Sequence, residues 1–491
     1  MFGHRRCQTW RRMTQMWPII RRDAGPVSCG VIFCLRPRVG NVVEKRAGTP
    51  VTSLLLVCEL RSVLSPRVNS MNRRNASVFL LTAAVMLVIS GSTPVLERAR
   101  AQGLFFGAQR FPAIDVDSND NLYLMMSTAT APASEHRPHS QIFFTMSRDF
   151  GVNWDNLPQT RNLTNSPGEA FGPSLAVNKN GKVRVYVSYH DNSTGTTQAY
   201  LISSKKKTKF RAPLNITPHN GGAFSPRVAL DSSETVNIVW GDTKDSVGRI
   251  VFLRSTDLGL TFNSPLDVSR SSGVASEPEI AIDASDAINV AWQDSAPGTN
   301  VIMFSRSTDG GQTFSEPKQV STGTGNATEA AIATDGAGRI SVAWVDESAG
   351  HAEAFYARST DGGASFSDPI NVSTFPNGDI HKPAVVAFQN TVYVAFQNGD
   401  LFGEEEIKSR QVYLAKSGNA GASFDQPERV SNANNSKGRA HSPAMVVDSR
   451  GTLHMVWIDA SVVGNDEGLL FYSNSADGHR FSPERMILAV I

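Results

Sequence analysis

Apolar and polar residues alternate in short runs through most of this chain, and glycine, proline and aspartate separate the runs. Residues 226–231, for example, read Pro-Arg-Val-Ala-Leu-Asp, and residues 239–242 read Val-Trp-Gly-Asp. Short alternating runs indicate half-buried β-strands, and the residues between them are those that form tight turns. The pattern therefore predicts an all-β protein built from many short strands.

One phrase recurs seven times along residues 102–491. Its clearest copy, residues 255–262, reads Ser-Thr-Asp-Leu-Gly-Leu-Thr-Phe, and the copy that begins at Ser203 has lysines where Asp and Gly should stand. The serines that open successive copies lie 56, 52, 52, 52, 58 and 58 residues apart. The seven copies begin at Ser147, Ser203, Ser255, Ser307, Ser359, Ser417 and Ser475.

Two further phrases keep the same interval, so that each unit has four short β-rich runs. One resembles residues 226–231 and the other resembles residues 239–242. Four strands in about 50 residues are typical of a β-propeller blade. A single blade cannot bury both of its faces, whereas a closed ring of blades can. We therefore predict a β-propeller of seven four-stranded blades, with six blades as the alternative.

The recurring phrase has a structural interpretation. Aspartate in a tight turn can accept hydrogen bonds from backbone N–H groups, and glycine supplies a positive φ. The closing Phe or Trp is expected to pack beneath the turn. We interpret the phrase as a clasp between the third and fourth strands of a blade.

The phrase, written S-x-D-x-G-x-T-[FW], resembles the Asp-box or BNR repeat of sialidases and related propellers, and the resemblance covers residues 103–491. Sialidases have six blades, whereas seven units occur here. That difference favours the wider Asp-box group, which includes seven-bladed assembly and binding proteins.

The first hundred residues differ from the repeats. Arg73 and Arg74 precede an apolar run, residues 76–89, and Ala99-Arg100-Ala101 resembles a cleavage site, so residues 71–101 are predicted to be a signal peptide. The alternative is an uncleaved anchor. Residues 1–70 show no repeat and are expected to be disordered or not part of the native protein. These features predict a secreted or periplasmic protein with no membrane span after removal of the signal.

Charge and cysteine content narrow the classes of partner. Residues 102–491 carry 31 basic and 41 acidic side chains and no cysteine. An acidic body argues against nucleic acid as a partner, and a chain without cysteine has no disulfide framework. Residues 115–121 resemble a calcium loop, but they fall where every repeat makes its first hairpin, so a turn is expected there. We expect neither a metal nor a cofactor, and a monomer.

Propeller geometry predicts which loops share a face. The loops that lead into first strands and those that leave second strands should ring one mouth of the channel, where closed β structures usually bind ligands. Solvated loop ends are the simpler interpretation of the same residues. The candidate binding residues there are Arg110, Arg227, His381, Lys382, Arg439, His441, Asp294 and Asp346.

The resemblance to sialidases also implies roles for some of these residues. Residues 110–114, Arg-Phe-Pro-Ala-Ile, resemble the motif whose arginine helps to hold the substrate carboxylate, although an ordinary first strand is the alternative. By loop position, Arg227 and Arg439 are candidates for the other two arginines. Sialidases also use a tyrosine paired with a glutamate, and an aspartate as the general acid and base. The candidate carboxyl groups here are Glu279, Glu329 and Asp242, and no tyrosine is assigned.

Two functions remain open at this stage. The first is a propeller that binds a glycan or protein at its mouth without a catalytic set. The second is an exo-sialidase-type glycoside hydrolase whose arginine cluster binds a carboxylated sugar. An acidic rim of Asp242, Asp294, Asp346 and Asp459 that binds cations or a basic partner is a third hypothesis.

Overall fold

The structure is a computed structural model that describes residues 38–41, 54–57, 110–130, 139–155, 161–179, 181–217, 221–244, 247–376, 378–399, 410–431, 439–460 and 469–487. These residues form strands, turns and bends, with no helix among them. Arg38–Asn41 (β1) and Leu54–Val57 (β2) pair antiparallel as a unit of their own. The predicted signal peptide, residues 71–101, lies outside the described residues.

Residues 110–487 form seven antiparallel sheets, which confirms the prediction of a seven-bladed β-propeller. The strands of blades 1 to 3 are β3 Arg110–Val116, β4 Leu122–Thr130, β5 His139–Ser147, β6 Arg161–Asn162, β7 Ala170–Val177, β8 Val185–Asp191, β9 Gln198–Lys206, β10 Lys209–Phe210, β11 Leu214–Asn215, β12 Ala223–Leu230, β13 Val236–Asp242, β14 Arg249–Ser255 and β15 Leu266–Asp267. Those of blades 4 and 5 are β16 Ala275–Ile282, β17 Ile288–Asp294, β18 Val301–Ser307, β19 Lys318–Gln319, β20 Ala327–Thr334, β21 Ile340–Asp346, β22 Glu353–Ser359 and β23 Ile370–Asn371. Those of blades 6 and 7 are β24 Ile380–Phe388, β25 Thr391–Asn398, β26 Gln411–Ser417, β27 Glu428–Arg429, β28 Ala440–Val447, β29 Leu453–Asp459, β30 Leu469–Ser475 and β31 Arg485–Ile487.

The first strands of successive blades pack against one another all the way round, and β28 of blade 7 returns to β3 of blade 1. The ring is therefore closed, and the first strands line a central channel. Since neighbouring strands run antiparallel, the loops that lead into first strands and leave second strands lie on one side, called here the mouth face. The first hairpins and the recurring turns lie on the other side, called the box face.

A β-bulge interrupts every first strand near the mouth face. The residue at the bulge has a positive φ in all seven blades, and in six of them the next residue is proline. Proline cannot donate to the hydrogen-bond ladder, so it is tolerated where pairing is already broken. These seven positions, called the bulge residues, are Phe111, Gly172, Ser225, Glu277, Glu329, Lys382 and Ser442.

The recurring turn has the geometry that the sequence predicts. In blade 3, Asp257 Oδ1 accepts hydrogen bonds from the N–H groups of Leu260 and Thr261 at 3.0 and 2.9 Å, and Ser255 Oγ accepts one from Gly259 N–H at 2.9 Å. Gly259 has a φ of 77°. These bonds hold the connection between the third and fourth strands, which confirms the clasp.

The same turn also joins neighbouring blades, a role that the sequence analysis missed. The closing Phe314 of blade 4 meets Phe252 of blade 3 edge to face, with ring centroids 5.1 Å apart. A Cβ on Gly311 would lie 2.4 Å from Phe252 Cε1. Glycine is therefore required in this turn for two reasons: its φ is 81°, and the aromatic ring of the preceding blade leaves no room for a Cβ. Gly363 and Gly421 lie equally close to Phe304 and Tyr356.

Blade 2, whose copy of the phrase is decayed, meets blade 1 differently. Lys207 Nζ lies 3.6 Å from Asp117 Oδ2 and 5.5 Å from the ring centre of Tyr123. Phe210 keeps the edge-to-face contact, with 5.1 Å between its ring centroid and that of Phe144. A cation thus replaces the missing turn glycine, while the closing aromatic residue is retained.

Side chains close the ring between blades 7 and 1. Tyr472 Oη donates to Phe150 O at 2.8 Å, and a Cβ on Gly151 would lie 2.1 Å from Tyr472 Cζ. On the first hairpins, Ser449 N–H donates to Asp120 Oδ1 at 2.9 Å. Each described sheet is built from consecutive strands, so these contacts and a shared apolar core hold the two ends of the ring.

The tryptophans of the second strands belong to the core. Trp240 is 1% exposed and packs with Tyr186 and Leu201 of the preceding blade. Its indole N–H donates to Asp242 Oδ2 at 2.8 Å. The same Trp–Asp bond recurs at Asp294 and Asp346, with 3.2 and 3.1 Å between the atoms.

Candidate functional site

The central channel opens into a cavity of about 430 Å³ to which all seven blades contribute. Its walls are the bulge residues and the segments that follow them in the first strands. A concave site of this size with converging polar groups suits a small ligand. A cleft of about 540 Å³ also lies at the turns of blades 3 and 4, but it is lined largely by the clasp residues Ser255, Thr261 and their neighbours, whose polar groups bond one another.

Charge is distributed unevenly around the channel. Blades 3 to 6 contribute Arg227, Glu277, Glu279, Glu329 and Lys382. Blades 7, 1 and 2 contribute no Asp, Glu, Lys or Arg to the described part of this wall; their side chains are small, aliphatic or aromatic, and they include Phe111, Phe171 and His190. Phe111 is 40% exposed. One half of the channel is therefore charged, and the other half is largely apolar.

Arg227 and Glu279 form an ion pair between blades 3 and 4. Arg227 Nε lies 2.6 Å from Glu279 Oε1, and both side chains are 28% exposed. Burial raises the pKa of Glu279, and the Arg227 charge and hydrogen bond offset this only in part. Arg227 Nη1 makes a long bond of 3.4 Å to Pro226 O, and the side chain lines the channel cavity.

Glu329 joins blades 5 and 6. Its Oε2 accepts a hydrogen bond from Lys382 N–H at 2.5 Å, and its Oε1 lies 3.1 Å from Lys382 Nζ and 3.7 Å from His381 Nδ1. Burial would raise the pKa of Glu329, but the contact with His381 and the Lys382 charge outweigh it and lower the pKa to about 2. The contact with Glu329 raises the pKa of His381. Glu329 is thus ionised at neutral pH and pairs with both Lys382 and His381.

His190 of the second strand β8 is a site residue that the sequence analysis missed. It lines the channel, is 7% exposed, and lies edge to face with Phe171. Burial, and then the Arg227 charge, lower the pKa of His190 to about 3, so its ring is neutral. Its signal was present in the repeat, because the residue before the second-strand aspartate is Gly241, Gln293 or Val345 in the next blades.

The aspartates that the sequence predicted as site residues are not among the residues that line the described channel wall. Asp242, Asp294 and Asp346 are 7%, 3% and 2% exposed, and each binds a tryptophan of its own strand. Asp459 is also buried. The hypothesis that these four residues form an exposed acidic rim is therefore wrong, because their side chains are buried at the ends of the second strands. The catalytic role predicted for Asp242 and the binding roles predicted for Asp294 and Asp346 stay predictions.

The three predicted arginines occupy three levels along the first strands. Arg439 lies three residues before its bulge residue, Arg110 one residue before, and Arg227 two residues after. At roughly 3.3 Å per residue, Arg439 and Arg227 differ by roughly 16 Å along the strand direction. Of these three arginines, Arg227 lines the described channel wall. The backbone of Arg110 pairs with that of Ser127. Another predicted binding residue, His441, has its Nδ1 3.1 Å from Ser442 Oγ.

The third-strand tyrosines belong to the cores of the blades. Tyr356 and Tyr472 are fully buried, and Tyr413 packs between Phe375 and Phe396. The described channel wall contains no tyrosine. Among all the residues that the structure describes, no group of three or more His, Cys, Asp or Glu side chains could hold a metal ion. In the same part of the chain, no helix is long and apolar enough to cross a membrane.

Searches against protein-family models and against curated proteins found no match. Solved structures are similar at low identity. A protein of unknown function from Dyadobacter fermentans is 16% identical over 64% of this chain and 95% of its own, with a TM-score of 0.45. An ulvan lyase is 12% identical over 65% and 84%, with a TM-score of 0.48. The NanB sialidase from Streptococcus pneumoniae is 13% identical over 75% and 68%, with a TM-score of 0.40. The seven-bladed fold itself rests on the strand order and the closed ring described above.

Proposed function

We propose that this protein binds a carbohydrate in its central channel from the mouth face and acts as a binding propeller. One observation carries the proposal: charged groups from four consecutive blades share one cavity with the aromatic rings of Phe111 and Phe171. A sugar presents hydroxyl groups at its edge and C–H groups on its faces. It therefore needs fixed donors and acceptors together with an apolar surface, and the channel supplies both.

The ion pairs prepare the polar half of the channel for this task. Glu279 fixes Arg227, and Glu329 fixes Lys382 and His381, before any ligand arrives. Side chains held in one rotamer lose little entropy on binding, which favours affinity. The remaining donors of Arg227 suit hydroxyl or carboxylate oxygens of the ligand.

A glycan array followed by titration calorimetry tests the proposal. Arg227→Met keeps the aliphatic stem but removes the guanidinium, and we expect affinity for the array's best glycan to fall tenfold or more. Arg270→Met is the matched control, because Arg270 also forms a 2.6 Å ion pair, with Glu316, away from the channel. Absence of glycan binding, or an equal loss in both variants, would overturn the proposal.

The second candidate is an exo-sialidase-type hydrolase, and one observation favours it. Glu279 and Glu329 line the same cavity, and their environments move their pKa values in opposite directions. Such a split is typical of an acid and a base that work together. Turnover of a fluorogenic sialoside, lost in Glu279→Gln and reduced in Arg110→Ala, would support hydrolysis; no turnover by the parent protein removes this candidate.

Export is part of the same proposal, because a glycan-binding propeller would meet its ligand outside the cytoplasm. The support is the predicted signal at residues 71–101. N-terminal sequencing of the native protein should place the first residue between about 90 and 102, as cleavage after the apolar segment requires. A peptide from residues 1–70 in the mature protein would contradict this.

A further inference from the structure

His190 stands out among the buried polar groups of the channel wall. Both of its ring nitrogens are closed to solvent and have no hydrogen-bond partner, although the side chain borders the cavity. A buried polar group without a partner destabilises a fold, so most are satisfied. An imidazole left in this state beside a ligand cavity suggests a partner that arrives from the cavity.

Equivalent positions in other blades show what the fold needs there. Gln293 accepts a hydrogen bond from the N–H of Glu329 at 3.3 Å, and Gln397 accepts one from Ser442 N–H at 3.1 Å. Each glutamine thereby caps the bulge residue of the next blade. His190 occupies the same register position, opposite Phe171, and makes no such bond. The structural role of this position does not explain the histidine.

The chain also makes room for the imidazole. Blade 2 alone has glycine at the bulge, and a Cβ on Gly172 would lie 3.0 Å from His190 Cε1. The ring also contacts Phe171, with 3.8 Å between the two ring centroids. Phe171 is half-buried and lines the channel wall beside the imidazole.

We propose that His190 is a specificity-determining residue of the channel, which hydrogen-bonds a hydroxyl group of the bound sugar once Phe171 turns aside. This inference rests on the proposed carbohydrate-binding function. The neutral ring has one N–H donor and one acceptor nitrogen, so it can pair with a hydroxyl in either sense. Arg227 lines the same cavity as His190, so the two side chains would engage different oxygens of one sugar.

A site built to hydrogen-bond a hydroxyl discriminates strongly against an analogue that lacks it, because its polar group is then left buried and unpaired. The channel should therefore distinguish a sugar from its deoxy analogue at one ring position. Replacement of His190 should abolish that distinction and leave the rest of the binding energy in place.

Three variants of the full chain test the inference by titration calorimetry and thermal unfolding. His190→Phe removes both nitrogens but fills similar space, and His190→Gln carries the residue that blades 4 and 6 use at this position. His479→Gln is the control, because His479 is exposed on the box face, where it pairs with Glu428. The probes are the best glycan of the array and its monodeoxy analogues.

We expect His190→Phe to bind the glycan at least tenfold more weakly and to unfold at the same or a higher temperature, since two unsatisfied nitrogens are removed. It should bind the glycan and one of the deoxy analogues equally. Glycan binding that is unchanged in both His190 variants, while Arg227→Met still loses affinity, would overturn this inference alone. If no glycan binds the parent protein, the proposed function fails and this inference fails with it.

In a second, ligand-free measurement, diethyl pyrocarbonate should modify His190 in Phe171→Ala faster than in the parent protein. Equal rates would refute the role given to Phe171 as the cover of the imidazole.

Discussion

The docking of each turn glycine on the preceding blade predicts a graded effect of alanine at three glycines of blade 5. Gly363 has a φ of 84°, and its added Cβ would lie 2.3 Å from Phe304 Cε1. Gly338 has a φ of 76° but open space around it, and Gly336 has neither constraint. The three substitutions are chemically identical and differ only in what surrounds the new methyl group.

The magnitudes follow from these two constraints. A left-handed conformation costs a residue with a Cβ about 1–2 kcal/mol, and that is the whole expected cost at Gly338. Overlap with a packed aromatic ring adds about 1–3 kcal/mol, so Gly363→Ala should lose about 2–5 kcal/mol of the free energy of unfolding. Gly336→Ala should change that free energy by less than about 0.5 kcal/mol.

Urea unfolding monitored by both tryptophan fluorescence and circular dichroism measures these differences, where the two signals coincide. The double variant Gly363→Ala with Phe304→Ala is the control, because it removes the ring that the new methyl group meets. The free energy of unfolding of the double variant should be higher than the value expected if the losses in the two single variants were additive. If Gly363→Ala and Gly338→Ala are equally destabilised, the contact between the turn glycine and the preceding blade does not contribute to stability, and the reasoning is refuted.

Three other consequences can be measured separately. Asp346→Ala should destabilise the protein by about 1–3 kcal/mol, because it leaves the buried Trp344 N–H unpaired, and should leave glycan affinity unchanged; a selective loss of affinity by calorimetry would contradict the structural role. Tyr472→Phe, which removes the hydroxyl bonded to Phe150 O, should cost about 1–2 kcal/mol in urea unfolding and speed proteolysis at the junction of blades 7 and 1. Because the pKa of Glu329 falls from 4.5 to about 2, its ion pairs contribute stability above pH 4.5 that is lost as the pH falls towards 2; Glu329→Gln should therefore destabilise the protein at pH 6 and have little effect near pH 2, and a loss independent of pH would refute the assignment.

The repeat made most of the fold predictable. Spacing of the phrase that opens at Ser255 and Ser307 predicted the number of blades, and the Asp and Gly in it predicted the turn, because both depend on local backbone chemistry. The prolines of the first strands could also have indicated a bulge, since proline has no N–H for the ladder. Local sequence was enough wherever neighbours along the chain decide the conformation.

The site depended on contacts between blades, which a repeat pattern does not contain. Asp242 and Glu279 are both acidic and both stand near the mouth face, yet one turns inward to Trp240 and the other lines the channel beside Arg227. Strand register and the bulge decide that difference. His190 shows the same limit, because its lack of a partner is visible only when the neighbouring blades surround it.

The amino-acid sequence by itself determined the β-strands, the turns and the sevenfold repeat, because each follows from residues within one unit. Only the closed ring decided which side chains share the channel, which are buried as clasps, and which imidazole is left without a partner. The physical reason is that burial and pairing are properties of the space between blades, where residues about 50 positions apart meet.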